Sequence, residues 1–279
     1  MSITLSASDV KNLRDITGAG MMDCKAALTE AEGDIQKAIE ILRKKGMKLS
    51  EKRADREAKE GAVIAMVNDS KTKGVIVKLS SETDFVSKNE DFINTAKKIA
   101  SIALSTFPAT LEGLAAEKYE GNTTIGEKVT DLVAAIGEKI EIKSYERLEA
   151  PQVEYYIHMG NKAGVLVGLN KTGDNYSDAG KDVAMQVAAM KPVAVDKDGV
   201  NADIISKEIE IGKEIARAEG KPEEMLEKIA MGKLNKFYQD NTLLNQAFVR
   251  GSGKESVRDY LSSIDKDLTV TGFKHVALG

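Results

Sequence analysis

The chain has 279 residues, 42% apolar and 30% charged, which is the make-up of a globular protein with room for more than one folding unit. Its 40 basic and 44 acidic side chains leave a formal charge of −4 without a basic block, which argues against nucleic acid as the main ligand. No apolar run approaches the ~18 residues of a membrane span, and the single cysteine, Cys24, excludes an internal disulfide.

In chain order, the start "MSITLSASDV" lacks the basic and apolar blocks of a secretion signal, so a cytoplasmic location is expected. Ser6 to Asp9 reads as a capping box, with Val10 and Leu13 following at helical spacing. "TGAG" (17–20) breaks that helix and a second begins near Met21. Asp34 caps a third, with Ile35, Ala38, Ile39 and Leu42 on one face, and Gly46 is expected to stop it. The run "KLSEKRADREAKE" (48–60) reads as a solvated charged linker.

The remainder contains an internal duplication. "KGVIVKLSSETD" (73–84) matches "AGVLVGLNKTGD" (163–174) at an offset of 90, with Gly74 on Gly164 and Asp84 on Asp174. "EKVTDLVAAIGEKIEIKSYERL" (127–148) matches "ESVRDYLSSIDKDLTVTGFKHV" (255–276) at an offset of 128, mainly in its apolar pattern. Each copy reads as strand, hairpin, strand, helix, intervening segment, helix, strand, which makes an α+β core of two antiparallel three-stranded subdomains. The offset grows because copy two carries 38 more residues. Ile204, Ile211 and Ile215, the turn at Gly220 to Pro222, and then Leu226, Ile229 and Phe237 read as an antiparallel helical hairpin.

Motifs of catalysis are missing. In "GSGKES" (251–256) Lys254 is followed by Glu255, and in "NKTGD" (170–174) Gly173 stands where a guanine-specificity motif needs Asp. His158 and His275 are the two histidines, and Cys24 has no ligand partners at metal spacing, so a zinc site is not expected. Surface features carry the remaining signal. Met21 and Met22 are adjacent, so they cannot both face one small core. Either one Met is buried and the other incidental, or the pair offers an adaptable apolar contact. Phe85 has two readings as well: a staple at the strand-to-helix corner, or a ring beside Asp84 that wedges into a partner. Val86 and Phe92 already serve that corner, and Asp84 alone would normally be a helix cap.

At these residues a resemblance becomes specific. "LRDITGAGMMDCKAAL" (13–28) and "SETDFVSK" (81–88) resemble the two long signatures of the elongation factor Ts family, the exchange factors for the GTPase elongation factor Tu. The likeness covers nearly the whole chain. It implies a ubiquitin-associated-like (UBA-like) three-helix module over 1–47, the linker over 48–60, core subdomain one over 61–150, and subdomain two over 151–279 with its hairpin at about 202–240. It implies a non-enzymatic protein without cofactor or metal of its own, partnered by elongation factor Tu, as a one-to-one complex, a homodimer or a two-to-two complex.

By the same resemblance Thr83, Asp84, Phe85 and Val86 form the tip that enters beside the partner's nucleotide and displaces Mg²⁺. Phe85 is the wedge, and Asp84 helps disorder the groups that hold the ion. Arg14, Met21 and Met22 match positions that pack on a helix of the GTPase domain, with Val249 joining that contact, and His158 matches a histidine that approaches the nucleotide side. Three departures stand out. Ser80 and Ser81 precede the tip where relatives often carry Asn before the acidic run, Gln186 replaces a common His, and the sequence ends at Gly279, short of a C-terminal extension found in some relatives. Two other classes remain to be discriminated: an enzyme would turn over GTP, and an RNA-binding translation protein would bind RNA with strong salt dependence.

Overall fold

The computed structural model describes residues 6–251 and 253–279. Residues 1–5 of the expected first module, and Ser252 of "GSGKES", lie outside the described residues. Helix α1 (Ala7–Thr17) opens on the expected capping box: Asp9 N–H donates to Ser6 Oγ at 3.1 Å and Ser6 N–H to the Asp9 carboxylate at 3.1 Å. It closes at Gly18, whose φ of 70° is the left-handed cap conformation. Helix α2 (Met21–Glu30) and helix α3 (Ile35–Lys52) follow, α3 starting where Lys37 N–H donates to Asp34 Oδ1. Their shared core is Leu13, Cys24, Leu28 and Ala38, all fully buried.

Gly46 does not end α3, which runs on to Lys52 and takes in part of the charged stretch. The glycine is there for proximity. A Cβ on it would lie 2.9 Å from both Ala134 Cβ and the Thr130 carbonyl of a later helix. In the sequence a glycine after an apolar stripe reads as a stop; here it marks a helix crossing.

Strands β1 (Glu60–Val67) and β2 (Lys73–Ser81) form a hairpin with Glu60 opposite Ser81. Helices α4 (Asp84–Ser87), α5 (Glu90–Thr106) and α6 (Leu111–Ala116) follow. A short β3 (Lys118–Glu120) and β4 (Thr123–Thr124) pair, then α7 (Ile125–Ile136) and β5 (Ile140–Glu149) close the first sheet in the order β1-β2-β5. The second half has β6 (Gln152–His158), β7 (Ala163–Leu169), α8 (Ser177–Met190), α9 (Ala202–Ala218), α10 (Glu223–Asn241), α11 (Val257–Ile264) and β8 (Val270–Ala277). Its sheet is ordered β6-β7-β8, and every strand pair in both sheets is antiparallel.

The layers are helices, sheet, sheet, helices. In β2, Val75, Val77 and Leu79 turn outward onto Phe92 and Ile99 of α5 and Val133 of α7. Ile76 turns inward to meet Val153, Leu166 and Val276 of the second sheet. Burial on both faces explains why "GVIVKL" and "GVLVGL" are continuous apolar runs and do not alternate. Val165, Val167 and Leu169 pack outward on Val183 and Val187 of α8 and Leu261 of α11. Helices α9 and α10 form the hairpin, with Gly212 pressed on Ala230 and Lys213 paired to Glu227 at 2.8 Å.

Candidate partner-binding site

Strand β2 ends at Ser81, and the chain turns into one helical turn, α4, before Asn89 caps α5 by accepting from Asp91 N–H at 2.8 Å. Two carboxylates fasten this corner. Glu82 Oε1 accepts from the Arg53 guanidinium at 2.7 Å and from Lys139 N–H, and Oε2 accepts from Arg56 at 3.0 Å. Burial pushes the Glu82 carboxyl up, but these three donors outweigh it and hold the group down at about 2. Glu138 receives Thr83 twice, its hydroxyl at 2.7 Å and its N–H at 3.1 Å. The Ser81 hydroxyl donates to the Thr83 carbonyl at 3.1 Å.

On that fixed base the four tip residues separate by role. Val86 is half-buried against the Phe92 cluster and serves as the corner's apolar foot. Asp84 does not cap; it opens α4 and pairs with Lys88 at 2.6 Å, and the Lys88 hydrogen bond and charge lower its pKa. Phe85 is 85% exposed, so its ring is not a staple. A large ring left in water forgoes roughly 1.5–3 kcal/mol of burial.

Sequence reading misses the fastening residues. Arg53 and Arg56 lie in a stretch that reads as solvated, yet they lock Glu82, and Glu138 reaches Thr83 across 55 residues of sequence. The available signal is Glu82 itself, an acid at a strand end in a chain whose charged linker carries two arginines.

The other expected residues lie on separate elements. Met21 is 46% and Met22 76% exposed, so neither enters the three-helix core, contrary to the reading that buries one of them. Cys24 and Leu28 fill that space. Arg14 is exposed in the last turn of α1. Val249 is half-exposed on the loop before α11, and its N–H donates to Gln186 Oε1 at 2.9 Å. Gln186 is fully buried and also donates to Gln246 Oε1 and the Ala247 carbonyl, each at 3.1 Å, so the glutamine fits its place as the anchor of that loop. His158 is half-buried at the end of β6, its Nδ1 at 3.0 Å from the Tyr156 hydroxyl. The turn after it docks on the edge of β1, where Asn161 O accepts from Val63 N–H.

A cavity of about 540 Å³ lies elsewhere, between α3 and α7. Its Arg43 bonds Thr123 Oγ1 at 2.9 Å and faces Glu127 and Asp131, so this polar lining joins the helical module to the core. Among the described residues no cluster of three His, Cys, Asp or Glu side chains is arranged for a metal ion, and no helix is long and apolar enough to cross a membrane.

The site is thus a clamped one-turn helix that presents an aromatic ring and a carboxylate to solvent. Comparison with known proteins names the class. The sequence pattern of the family described as "Elongation factor TS" matches residues 82–279. Elongation factor Ts of Christiangramia forsetii is 54% identical over 275 residues, 99% of each chain. The proteins of the same name from Flavobacterium psychrophilum and Chlorobaculum tepidum are 51% and 42% identical, each over 99% of both chains. The chain belongs to the elongation factor Ts family.

Proposed function

We propose that the chain is a guanine nucleotide exchange factor for elongation factor Tu, acting in the elongation step of translation in the cytoplasm. The single observation that carries the mechanism is Phe85, exposed on a tip whose backbone is already locked by Glu82 and Glu138. A pre-ordered ring gains its burial on docking without the entropic cost of ordering a loop. Thr83 and Val86 hold the turn, Phe85 wedges, and Asp84, kept ionised by Lys88, brings a negative charge toward the groups that hold the partner's Mg²⁺. That ion offsets the charge of the bound diphosphate, so displacing it weakens GDP binding. Exchange requires the factor to prefer the nucleotide-free partner over the GDP-bound one, and by linkage incoming nucleotide then expels the factor. No bond is made or broken, so the protein is not an enzyme.

Arg14, Met21 and Met22 form a second contact on the UBA-like module, and His158 and Val249 extend the footprint. A duplicated core is part of the same reading. Three features support it: the matching strand orders, a register break at Lys78/Leu79 in one sheet and Gly168/Leu169 in the other, and the equivalent glycines Gly74 and Gly164 at the sheet-to-sheet contact.

The test is release of fluorescent GDP from elongation factor Tu, with and without this protein, in excess unlabelled nucleotide and Mg²⁺. Phe85→Ala is expected to slow stimulated release by about tenfold or more while leaving the melting temperature unchanged. A wild-type chain that does not accelerate release overturns the function, and a Phe85→Ala protein that melts several degrees lower overturns the wedge.

A further inference from the structure

The two halves of the core touch through reciprocal contacts. Val63 N–H donates to Asn161 O at 2.8 Å, while Val153 N–H donates to Lys71 O at 2.6 Å. Leu278 N–H donates to Lys162 O at 2.9 Å, while Ala150 N–H donates to Thr72 O at 3.1 Å. Each hairpin turn thus seals the other half's strands, as in an isologous interface, and this creates two similar ends. At one end the β6–β7 turn sits on the edge of β1, the strand that also packs under α4. Val63, which bonds that turn, faces Lys78, three residues before Ser81 and about 10 Å away along the strand. At the other end the β1–β2 turn sits beside the segment that starts α8, where Lys71 Nζ donates to Ser177 Oγ at 2.7 Å.

The ends differ in what they display. At the 90-residue offset of the sequence match, Phe85 corresponds to Asn175 and Met159 to Asp69, and all four are exposed. One end therefore shows Phe and Met, the other Asn and Asp. Asp69 stands at the matching offset in a turn where only Lys71 has positive φ, so the hairpin does not call for an apolar residue there.

The backbone disfavours one too. Met159 has φ 48°, followed by Gly160 at 63° and Asn161 at 71°, and left-handed geometry is costly for a residue with an ordinary side chain. At 70% exposure, packing returns little of that cost. The neighbouring His158 ring is half-buried with its Nδ1 on Tyr156, so Met159 is the apolar side chain that this turn projects, with Lys162 exposed beside it.

We infer that Met159 is a second apolar anchor for the partner that receives Phe85, displayed on a turn whose strain is retained for binding. The inference rests on the exchange reading, and the partner is therefore elongation factor Tu. An unbranched thioether suits a surface that shifts as nucleotide leaves. Met159→Asn removes the apolar side chain and installs a residue that tolerates left-handed backbone.

Expected in the GDP-release assay is a rise of about fivefold to twentyfold in the half-saturating concentration of the factor. The melting temperature should be equal or about 1–3 °C higher. Asp69→Ala should leave both unchanged. Met159→Asn with wild-type exchange overturns the inference alone. So does a fall of several degrees in its melting temperature, which would make Met159 a packing residue, and so does an equal loss from Asp69→Ala. Absence of acceleration by the wild-type chain overturns the exchange reading and this inference together.

Discussion

Glu82 shows how much of the tip depends on one half-buried side chain behind it. Its carboxylate joins the end of α3, through Arg53 and Arg56, to the turn before β5, through Lys139 N–H. Because the folded-state pKa is depressed from 4.5 to about 2, its contribution to stability is complete above pH 4.5 and is lost as pH falls through 2. Glu82→Gln keeps the shape and an acceptor for Lys139 N–H but leaves two guanidiniums without their anion. It should cost about 1–3 kcal/mol in urea unfolding at pH 7, and the gap to wild type should narrow as pH drops from 4.5 toward 2. A gap that stays constant over that range would mean the carboxylate charge is not what holds the corner. Phe85 teaches the complementary lesson. Local spacing leaves both staple and wedge open, because both need an apolar residue after a strand; the staple is ruled out because Val86 and Phe92 already fill the space beneath.

At the scale of elements, α3 couples the helical module to the tip. It begins in the three-helix core, crosses α7 at Gly46, and ends one residue before Arg53. Two glycine substitutions separate propensity from packing. Gly232 lies in α10, and a Cβ built on it would meet nothing within 4 Å, so Gly232→Ala should stabilise by about 0.5–1 kcal/mol. Gly46→Ala gains the same propensity but drives a methyl against the Thr130 carbonyl, which cannot rotate away, and should lower stability by about 1–3 kcal/mol. Thermal melts of the two proteins should move in opposite directions; a stabilised Gly46→Ala would mean that α3 and α7 can separate at little cost. The starts of α1 and α3 are legible in the sequence, since Ser6 and Asp34 cap as expected, and Thr124 and Ser256 cap α7 and α11 in the same way. The end of α3 is not, because a close-approach glycine and a terminating glycine look alike without the neighbouring helix.

For the whole molecule, the sheet-to-sheet contact is the organising feature. Gly74 meets Leu166 and Val153, and Gly164 meets Val63 and Ile76, the same pair of positions seen from each side. A Cβ at Gly74 would lie 2.8 Å from Leu166 Cδ2, and one at Gly164 3.0 Å from Val63 Cγ1. Gly74→Ala should therefore cost about 1–3 kcal/mol, and Gly164→Ala somewhat less, in equilibrium urea unfolding followed by circular dichroism. If neither changes the midpoint, the sheets are not closely packed. The order of residues was enough to establish the α+β class, the succession of strands and helices, the helical hairpin, and the two segments that carry the family likeness, because these rest on local periodicity, capping and short runs of specific residues. Packing was needed to settle which apolar side chains stay in water, which glycines are contacts, and which charges in a mixed-charge stretch are locked to Glu82, because each of those depends on residues distant in the chain that meet only in the folded protein.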